Sequence, residues 1–555
     1  MKKLLAKAIA VILGISACGA GLIGCTRTID HDQFLEIYCL DVGYGYQWAE
    51  VLLEDFKQQD WVKEKYPNID GKVRHNDQFT YVAETIGAGP NGNSADIMFT
   101  DTVYALFSEK YNGVSVAEDL TQGVYKQTVP GESRTYEDKM LDTYLSINMD
   151  PDSDNAYRSV NWQAGMISIL YNADLFELLG LKVPNTTDEL IQIAKDVKAM
   201  NGENPNYQNP PNIEAQKGPR DYAFTSSPKV DYWRYVFPVW WAQYEGLTEY
   251  TNFFRGIVDN TMSRKIFEQQ GRLESLTVMD TLLSGDNGYF DPYRNNYEFM
   301  QAQTNFLTGD GLMMVCGDWF DREMHILDEG YKEQGIDYDL RMMRMPVISA
   351  IVDKTPSIVA LAEKQGKTPD QILSDVIAQI DAGATSYEGV EQTDFNKVYE
   401  ARCMMYTIGP KHGGIIPSYA TAKDVAMDFL LYMATDRANQ LYAEATYGAS
   451  LPFEYNLQEK APEYYETISS IQKDRISYVN ASYPALQPLP DENTFPLVYY
   501  GGMSTLISLG SYGYETFMSR RSEGGPRATG MDLYYDDIEY WTEARWQSLR
   551  ANAGM

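Results

Sequence analysis

Short apolar runs, each ending in a glycine-bearing or acidic turn and followed by a segment of helical period, limit the folds open to this chain. Phe34–Leu40 alternates and then runs apolar, as a strand does. Asp41–Tyr46 carries Gly43 and Gly45 and reads as the loop beyond it. Trp48, Val51, Leu52 and Phe56 then return at helical spacing. Asp96–Thr100 is a second short strand, after a Gly/Asn-rich loop at 87–94. Met166–Tyr171 is a third, followed by a helix over Asp174–Leu179 that Gly180 closes as a C-terminal cap. Thr187 is expected to cap the next helix, with Asp188 and Glu189 in its first turn and Leu190, Ile193, Ala194 and Val197 on one face. Strand alternating with helix predicts an α/β fold with parallel strands. The 555 residues exceed one compact core, so two or more lobes are expected.

Farther along, residues 201–220 read as a loop, Phe299–Leu307 as a helix and Leu312–Cys316 as a strand. Residues 352–393 form a polar insertion with a helix of their own, Pro369–Ile380. Val425–Ala445 reads as one long amphipathic helix. Residues 519–530 have the composition of a surface linker, and 531–551 read as a last helix carrying Tyr534, Tyr535, Ile538, Trp541 and Trp546. No internal repeat is present.

The N-terminus indicates where the protein works. Met1–Lys7 is basic, and Ala8–Ile23 is apolar, small and uncharged. That stretch is short of the roughly 20 residues a spanning helix needs. A basic start, a short apolar core and small residues before a processing point make a secretory signal peptide, here residues 1–24. The segment ends in Leu22-Ile23-Gly24-Cys25, which resembles the bacterial lipobox and makes Cys25 the expected lipidation site. Ile15-Ser16-Ala17-Cys18 is a second candidate, disfavoured because it leaves a very short apolar core. Plain secretion without a lipid is the alternative.

The formal net charge is -32, which argues against nucleic acid as a partner, since phosphate binding needs a basic face. Cys39, Cys316 and Cys403 are an odd number, and Cys39 and Cys316 sit in apolar, strand-like runs, so they read as buried thiols. His31, His75, His325 and His412 are not at zinc-ligand spacing. Asp150-Pro-Asp-Ser-Asp154 opens like a calcium loop, but Asn155 and Asn161 stand where the pattern needs Gly and Glu, so a solvated acidic turn is the better reading. No metal or cofactor is expected.

In order, Ser94–Thr100, Gly165–Asp174 with Leu175–Pro184, Phe306–Trp319, Met345-Pro-Val and Gly414–Ala420 resemble segments of the extracellular solute-binding proteins of carbohydrate ABC importers. That class includes maltose-binding protein. The resemblance extends over most of residues 34–515; the length, the lipobox and the 352–393 insertion depart from maltose-binding protein. It implies a two-lobed periplasmic-binding-protein-like fold closing on a ligand by hinge motion. One lobe is then expected at 30–160 plus 342–450 and the other at 161–341 plus 451–555, with hinges near Val160–Trp162, Arg341–Pro346 and Ala449–Pro452.

Sugars offer polar edges and weakly apolar faces, so their sites combine aromatic platforms with paired hydrogen-bonding side chains. In the family this chain resembles, a Trp at the end of the strand 312–316 stacks on a sugar, which points to Trp319 beside Asp318. The resemblance also points to Tyr232 or Trp233, although Trp233, Trp240 and Trp241 fit a helical core stripe as well. Asp41, Tyr44 and Tyr46 in the first strand-to-helix loop, and Asp101 and Tyr104 after strand 96–100, lie beyond strand carboxyl ends, where open α/β sheets bind ligands. Trp162 at the first crossing completes the set, with Tyr419 and the Tyr499-Tyr500 pair ranked lower.

The expected function is a lipid-anchored protein on the outer face of the cell membrane. It would be a monomer that captures a carbohydrate, an oligosaccharide above all, and delivers it to ABC permease subunits. A lipid-anchored glycoside hydrolase is the rival, since 78 acidic residues leave room for a catalytic carboxylate pair. A binding protein for a non-sugar ligand such as a peptide is the third reading.

Overall fold

The computed structural model describes residues 31–555 except 102, 108, 151–152, 154–155, 201–221, 228–231, 286, 292, 408–411, 481–496 and 498–528. The signal segment, Cys18, Cys25, the 201–220 loop, Tyr499, Tyr500 and nearly all of the 519–530 linker thus lie outside the described residues.

Among the described residues, nine strands make up the two larger sheets: β1 (Phe34–Leu40), β2 (Asp70–Asn76), β3 (Ile97–Asp101), β4 (Val160–Asn161), β5 (Met166–Asn172), β6 (Met313–Gly317), β7 (Leu340–Met342), β8 (Tyr406–Thr407) and β9 (His412–Ile415). They form two sheets. The first has the order β2-β1-β3-β9-β4; β1 runs parallel to both neighbours, and β9 is antiparallel to β3 and β4. The second is built on β5, which pairs antiparallel with β6 on one side and with β7 and β8 on the other. The chain steps from the first sheet to the second over the short link between β4 and β5. The parallel strands expected throughout are confined to the first sheet, because only there do helical crossovers return the chain in the same direction.

Among the helices of the described residues are α1 (Gln47–Phe56), α2 (Ala173–Leu179), α3 (Thr187–Met200), α4 (Trp233–Glu245), α5 (Gln270–Leu283), α6 (Phe299–Leu307), α7 (Phe320–Glu333), α8 (Pro356–Gln365), α9 (Pro369–Asp381), α10 (Gln392–Cys403), α11 (Lys423–Met433), α12 (Asp436–Ala445), α13 (Ser470–Asn480), α14 (Gly530–Tyr540) and α15 (Glu543–Asn552). Gly180 ends α2 at φ 68°, as the sequence predicts. The cap of α3 is one residue earlier than expected: Thr186 Oγ1, not Thr187, accepts from Glu189 N at 3.2 Å. The single helix expected over 425–445 is two, because Thr435 turns extended and its side chain caps α12. Thr542 breaks the expected 531–551 helix in the same way. Cys39, Cys316 and Cys403 are buried free thiols.

Residues 342–403 do not rejoin the first sheet. Trp240 and Gln243 on α4 explain why. Trp240 Nε1 donates to Pro346 O at 3.1 Å, Gln243 Nε2 to Ala401 O at 3.1 Å, and Gln243 Oε1 accepts from Ile348 N at 2.9 Å. Thr186 and Asn185 bond Asp370 and Ser374 on α9. The insertion is therefore a helical layer, α8 to α10, laid on the second sheet's helices. The return to the first sheet, expected near Arg341–Pro346, comes only between Thr407 in β8 and His412 in β9.

Candidate ligand site

The loop between β1 and α1 brings the two sheets into contact. Gly43 (φ 52°) and Gly45 (φ 70°) take left-handed backbone that other residues adopt at a cost, and this turns Tyr44 inward between them. Tyr44 is 1% exposed, and its hydroxyl donates to Asp318 Oδ1 at 2.6 Å. Asp318 follows β6 in the second sheet and is fully buried. Its Oδ1 also accepts from Met166 N at 3.2 Å, and its Oδ2 lies 3.2 Å from Arg475 Nε on α13. A carboxylate this deep needs such partners. Burial pushes its pKa above the ordinary range, against the pull of Arg475 and Tyr44.

Aromatic rings surround this contact. The Tyr44 ring meets Trp162 edge-on at 6.3 Å and Trp319 at 6.0 Å. Trp162 stacks between Trp48 (5.6 Å) and His412 (4.9 Å), and its Nε1 donates to Thr100 O at 3.3 Å. Trp319 is 4% exposed, and its ring lies 5.5 Å from that of Tyr232. The Trp319 ring folds back over Gly317, where a Cβ would come within 2.0 Å of it. Tyr44, Trp162, Tyr232, Asp318 and Trp319, read from separate parts of the sequence, thus form one cluster.

Other candidates sit around it. Asp41 Oδ2 lies 3.1 Å from His75 Nδ1, and the Tyr46 ring stacks on His75 at 3.4 Å. Arg322 on α7 donates to Gln47 Oε1 at 2.8 Å, a further link between the sheets. Asp101 pairs with His412 in the ladder, and its buried Oδ1 has no hydrogen-bond partner among the described residues. Tyr104 opens the helical turn Tyr104–Phe107 beyond β3. Two candidates stand apart. Trp233 is 2% exposed in the core of the second sheet's helices, against Phe224, Phe290 and Trp240. Tyr419 meets Tyr111 at 5.1 Å, away from the cluster. Asp150, the first residue of the acidic turn, lies 3.8 Å from Arg158 Nε. Among the described residues no group of three or more His, Cys, Asp or Glu is gathered as for a metal ion.

Sequence reasoning missed Gly165, Gln472 and Arg475. Gly165 has no room for a side chain: a Cβ would lie 1.7 Å from the Tyr44 hydroxyl. A separate groove of ≈ 710 Å³ runs along α7, lined by Phe320, Asp321, His325, Asp328, Tyr447 and Tyr464 among others. Asp321, bonded to Ser469 and Gln472, is pushed up to about 7 by burial.

No family model matches this chain, and no curated protein does. Solved structures do. A raffinose complex of the solute-binding protein RafE is 14% identical with a TM-score of 0.51, covering 92% of this chain and 99% of that one. A chitin oligosaccharide binding protein is 13% identical at TM-score 0.53, covering 92% of this chain and 98% of its own. The ABC substrate-binding protein Lmo0181 from Listeria monocytogenes, in complex with cycloalternan, is 12% identical at TM-score 0.53, covering 91% and 97%. At these identities the likeness establishes the fold alone, a two-domain α/β architecture spanning nearly the whole of each chain.

Proposed function

We propose that this protein captures a neutral carbohydrate, an oligosaccharide above all, outside the cell and delivers it to an ABC import permease. The observation that carries the proposal is the meeting of Tyr44, Trp162, Tyr232 and Trp319 where the two sheets of a solute-receptor fold touch. Tyr44, Trp162 and Trp319 are buried here, and rings of this kind cover sugar faces once the lobes part; Asp101 Oδ1, buried with no hydrogen-bond partner among the described residues, is then an acceptor for a hydroxyl. The fold neighbours that hold raffinose and cycloalternan support the same ligand class.

In this reading one lobe comprises 30–160 with 412–450, the other 161–407 with 451–555. The crossings fall at Val160–Met166, Thr407–His412 and Gly448–Pro452. The Leu22–Cys25 lipobox motivates a lipid anchor at Cys25. Among the described residues no helix is long and apolar enough to cross a membrane.

The hydrolase reading is weaker for a specific reason. Asp318, the carboxylate at the centre of the cluster, is buried, ion-paired and already hydrogen-bonded, so it is held away from any glycosidic bond. Incubating the purified protein with a panel of neutral oligosaccharides tests both. Co-elution of an intact sugar supports capture; released shorter sugars support hydrolysis. Cys25→Ala is expected to move the protein from the membrane fraction to the medium, and unchanged fractionation removes the anchor from the proposal.

A further inference from the structure

Helix α13 lies against the third crossing, and two of its polar side chains are almost wholly buried: Gln472 at 0% and Arg475 at 1% exposure. Arg475 Nε donates to Gln472 Oε1 at 2.9 Å and stands 3.2 Å from Asp318 Oδ2. Its Nη2 donates to Gly448 O at 2.7 Å and Ser450 Oγ at 2.9 Å. Ser450 O in turn accepts from Ala164 N at 2.8 Å, in the first crossing. Gln472 Nε2 donates to Asp318 O at 2.6 Å, beside Trp319.

We infer that Arg475 is a positioning residue that sets how the two lobes close on their ligand. One planar guanidinium grips the third crossing at Gly448 and Ser450, and through Ser450 the first crossing. It also faces the carboxylate that Tyr44 reaches from the opposite sheet. Its fork geometry suits it to hold several acceptors at fixed angles, which an ammonium on a flexible stem does not. The backbone it grips is unusual. Tyr447 has φ 61° without being glycine, and Gly448 has φ 112°. A non-glycine residue held there is strained and depends on its surroundings to keep it so. Gly448 also lies so close to α13 that a Cβ on it would come within 2.8 Å of Gln472 Cγ. The crossing, the strand end that carries Trp319 and the cross-sheet contact therefore share one support.

The alternative is that Arg475 only neutralises Asp318, in which case it governs stability and not lobe geometry. Two variants separate these. Arg475→Lys keeps the charge but loses the fork; Ser450→Ala removes one acceptor in the crossing and leaves the Asp318 pair intact. The primary readout is small-angle scattering of ligand-free protein beginning at residue 25, alongside its melting curve. Both variants are expected to show a larger radius of gyration than wild type, Arg475→Lys more so. Wild-type radii in the folded variants, whatever their melting points, overturn the inference; if Arg475→Lys does not fold, Ser450→Ala alone decides. The second readout rests on the proposed sugar-binding function. With a sugar that wild type binds, Arg475→Lys is expected to bind roughly tenfold more weakly, the scale of one charge-assisted hydrogen bond. Wild-type protein that binds no sugar counts against that function, and the ligand-free scattering still judges Arg475.

Discussion

The Tyr44 hydroxyl donates to Asp318 at 2.6 Å, and this one bond joins the first strand-to-helix loop of one sheet to the strand end that carries Trp319 in the other. The approach depends on Gly165, whose absent side chain leaves space for the hydroxyl and for Asp318 Oδ1, 2.7 Å from where a Cβ would be. Backbone is harder to displace than a flexible side chain, so Gly165→Ala must push Tyr44 away. The variant is expected to fold, to scatter with a larger radius of gyration and to lose at least about tenfold in ligand affinity by calorimetric titration. A compact variant with wild-type affinity excludes this contact from closure.

Trp319 is expected to serve both the site and the lobe. It is nearly covered by Tyr44, Tyr232 and the glycines at 43 and 317. Trp319→Ala removes the proposed ligand platform and opens a cavity, so both affinity and melting point should fall. Affinity should fall roughly tenfold, given about 0.5–1.5 kcal/mol for aromatic contact beyond area burial and more at a central position. Trp319→Phe should recover part of each. Titration alongside ligand-free melts checks this; a lower melting point with unchanged affinity would show that Trp319 only packs.

Stability should depend on pH through α7. Glu323 accepts from Gln303 Nε2 at 2.7 Å, and burial pushes its pKa from the ordinary 4.5 up to about 8. The folded protein therefore keeps a proton that the unfolded chain releases. The resulting stability is complete below the unfolded value and is lost as pH rises through about 8. Asp321, raised to about 7, acts in the same direction. Glu323→Gln, which mimics the protonated side chain, should flatten the fall in melting point between about pH 5 and about pH 9. Parallel pH curves for the variant and wild type would falsify the assignment.

The C-terminal helices are fastened by a buried ion pair between Arg272 on α5 and Asp537 on α14. Arg272 Nη1 also donates to Phe267 O at 2.7 Å, and the guanidinium lies over the Trp241 and Phe253 rings. Asp537→Ala leaves that guanidinium buried without its counter-charge and should cost about 3–5 kcal/mol. Denaturant titration with limited proteolysis should show residues 529–555 released first. A loss below about 1 kcal/mol, the scale of an exposed pair, would contradict this.

The parts of the fold that local chemistry decides were readable in advance. The β1–loop–α1 unit and the Gly180 cap follow from periodicity and one residue's φ. The Trp162, Asp318 and Trp319 positions came from segment order and the family resemblance, and the structure gathers them. What escaped depends on distant partners. Trp233 and Tyr232 are adjacent in sequence, and only the packing of α4 sends one to the core and the other toward Trp319. The 425–445 and 531–551 periods run unbroken through Thr435 and Thr542, where a side-chain cap ends one helix and starts another. The return to the first sheet is late because Gln243 and Trp240 hold residues 346–401, a contact no local pattern announces. Arg475 gave no signal, since its partners come from Asp318 and from Gly448–Ser450.

The most direct measurement is a thermal-shift screen of the purified protein against neutral oligosaccharides, with acidic sugars and peptides as comparison sets. A ligand that binds only the native state raises the melting point in proportion to the logarithm of its concentration above Kd. The account predicts such a rise for at least one neutral oligosaccharide, lost or reduced in Gly165→Ala and Trp319→Ala. No shift with any neutral sugar, together with a concentration-dependent shift with peptides, would contradict it.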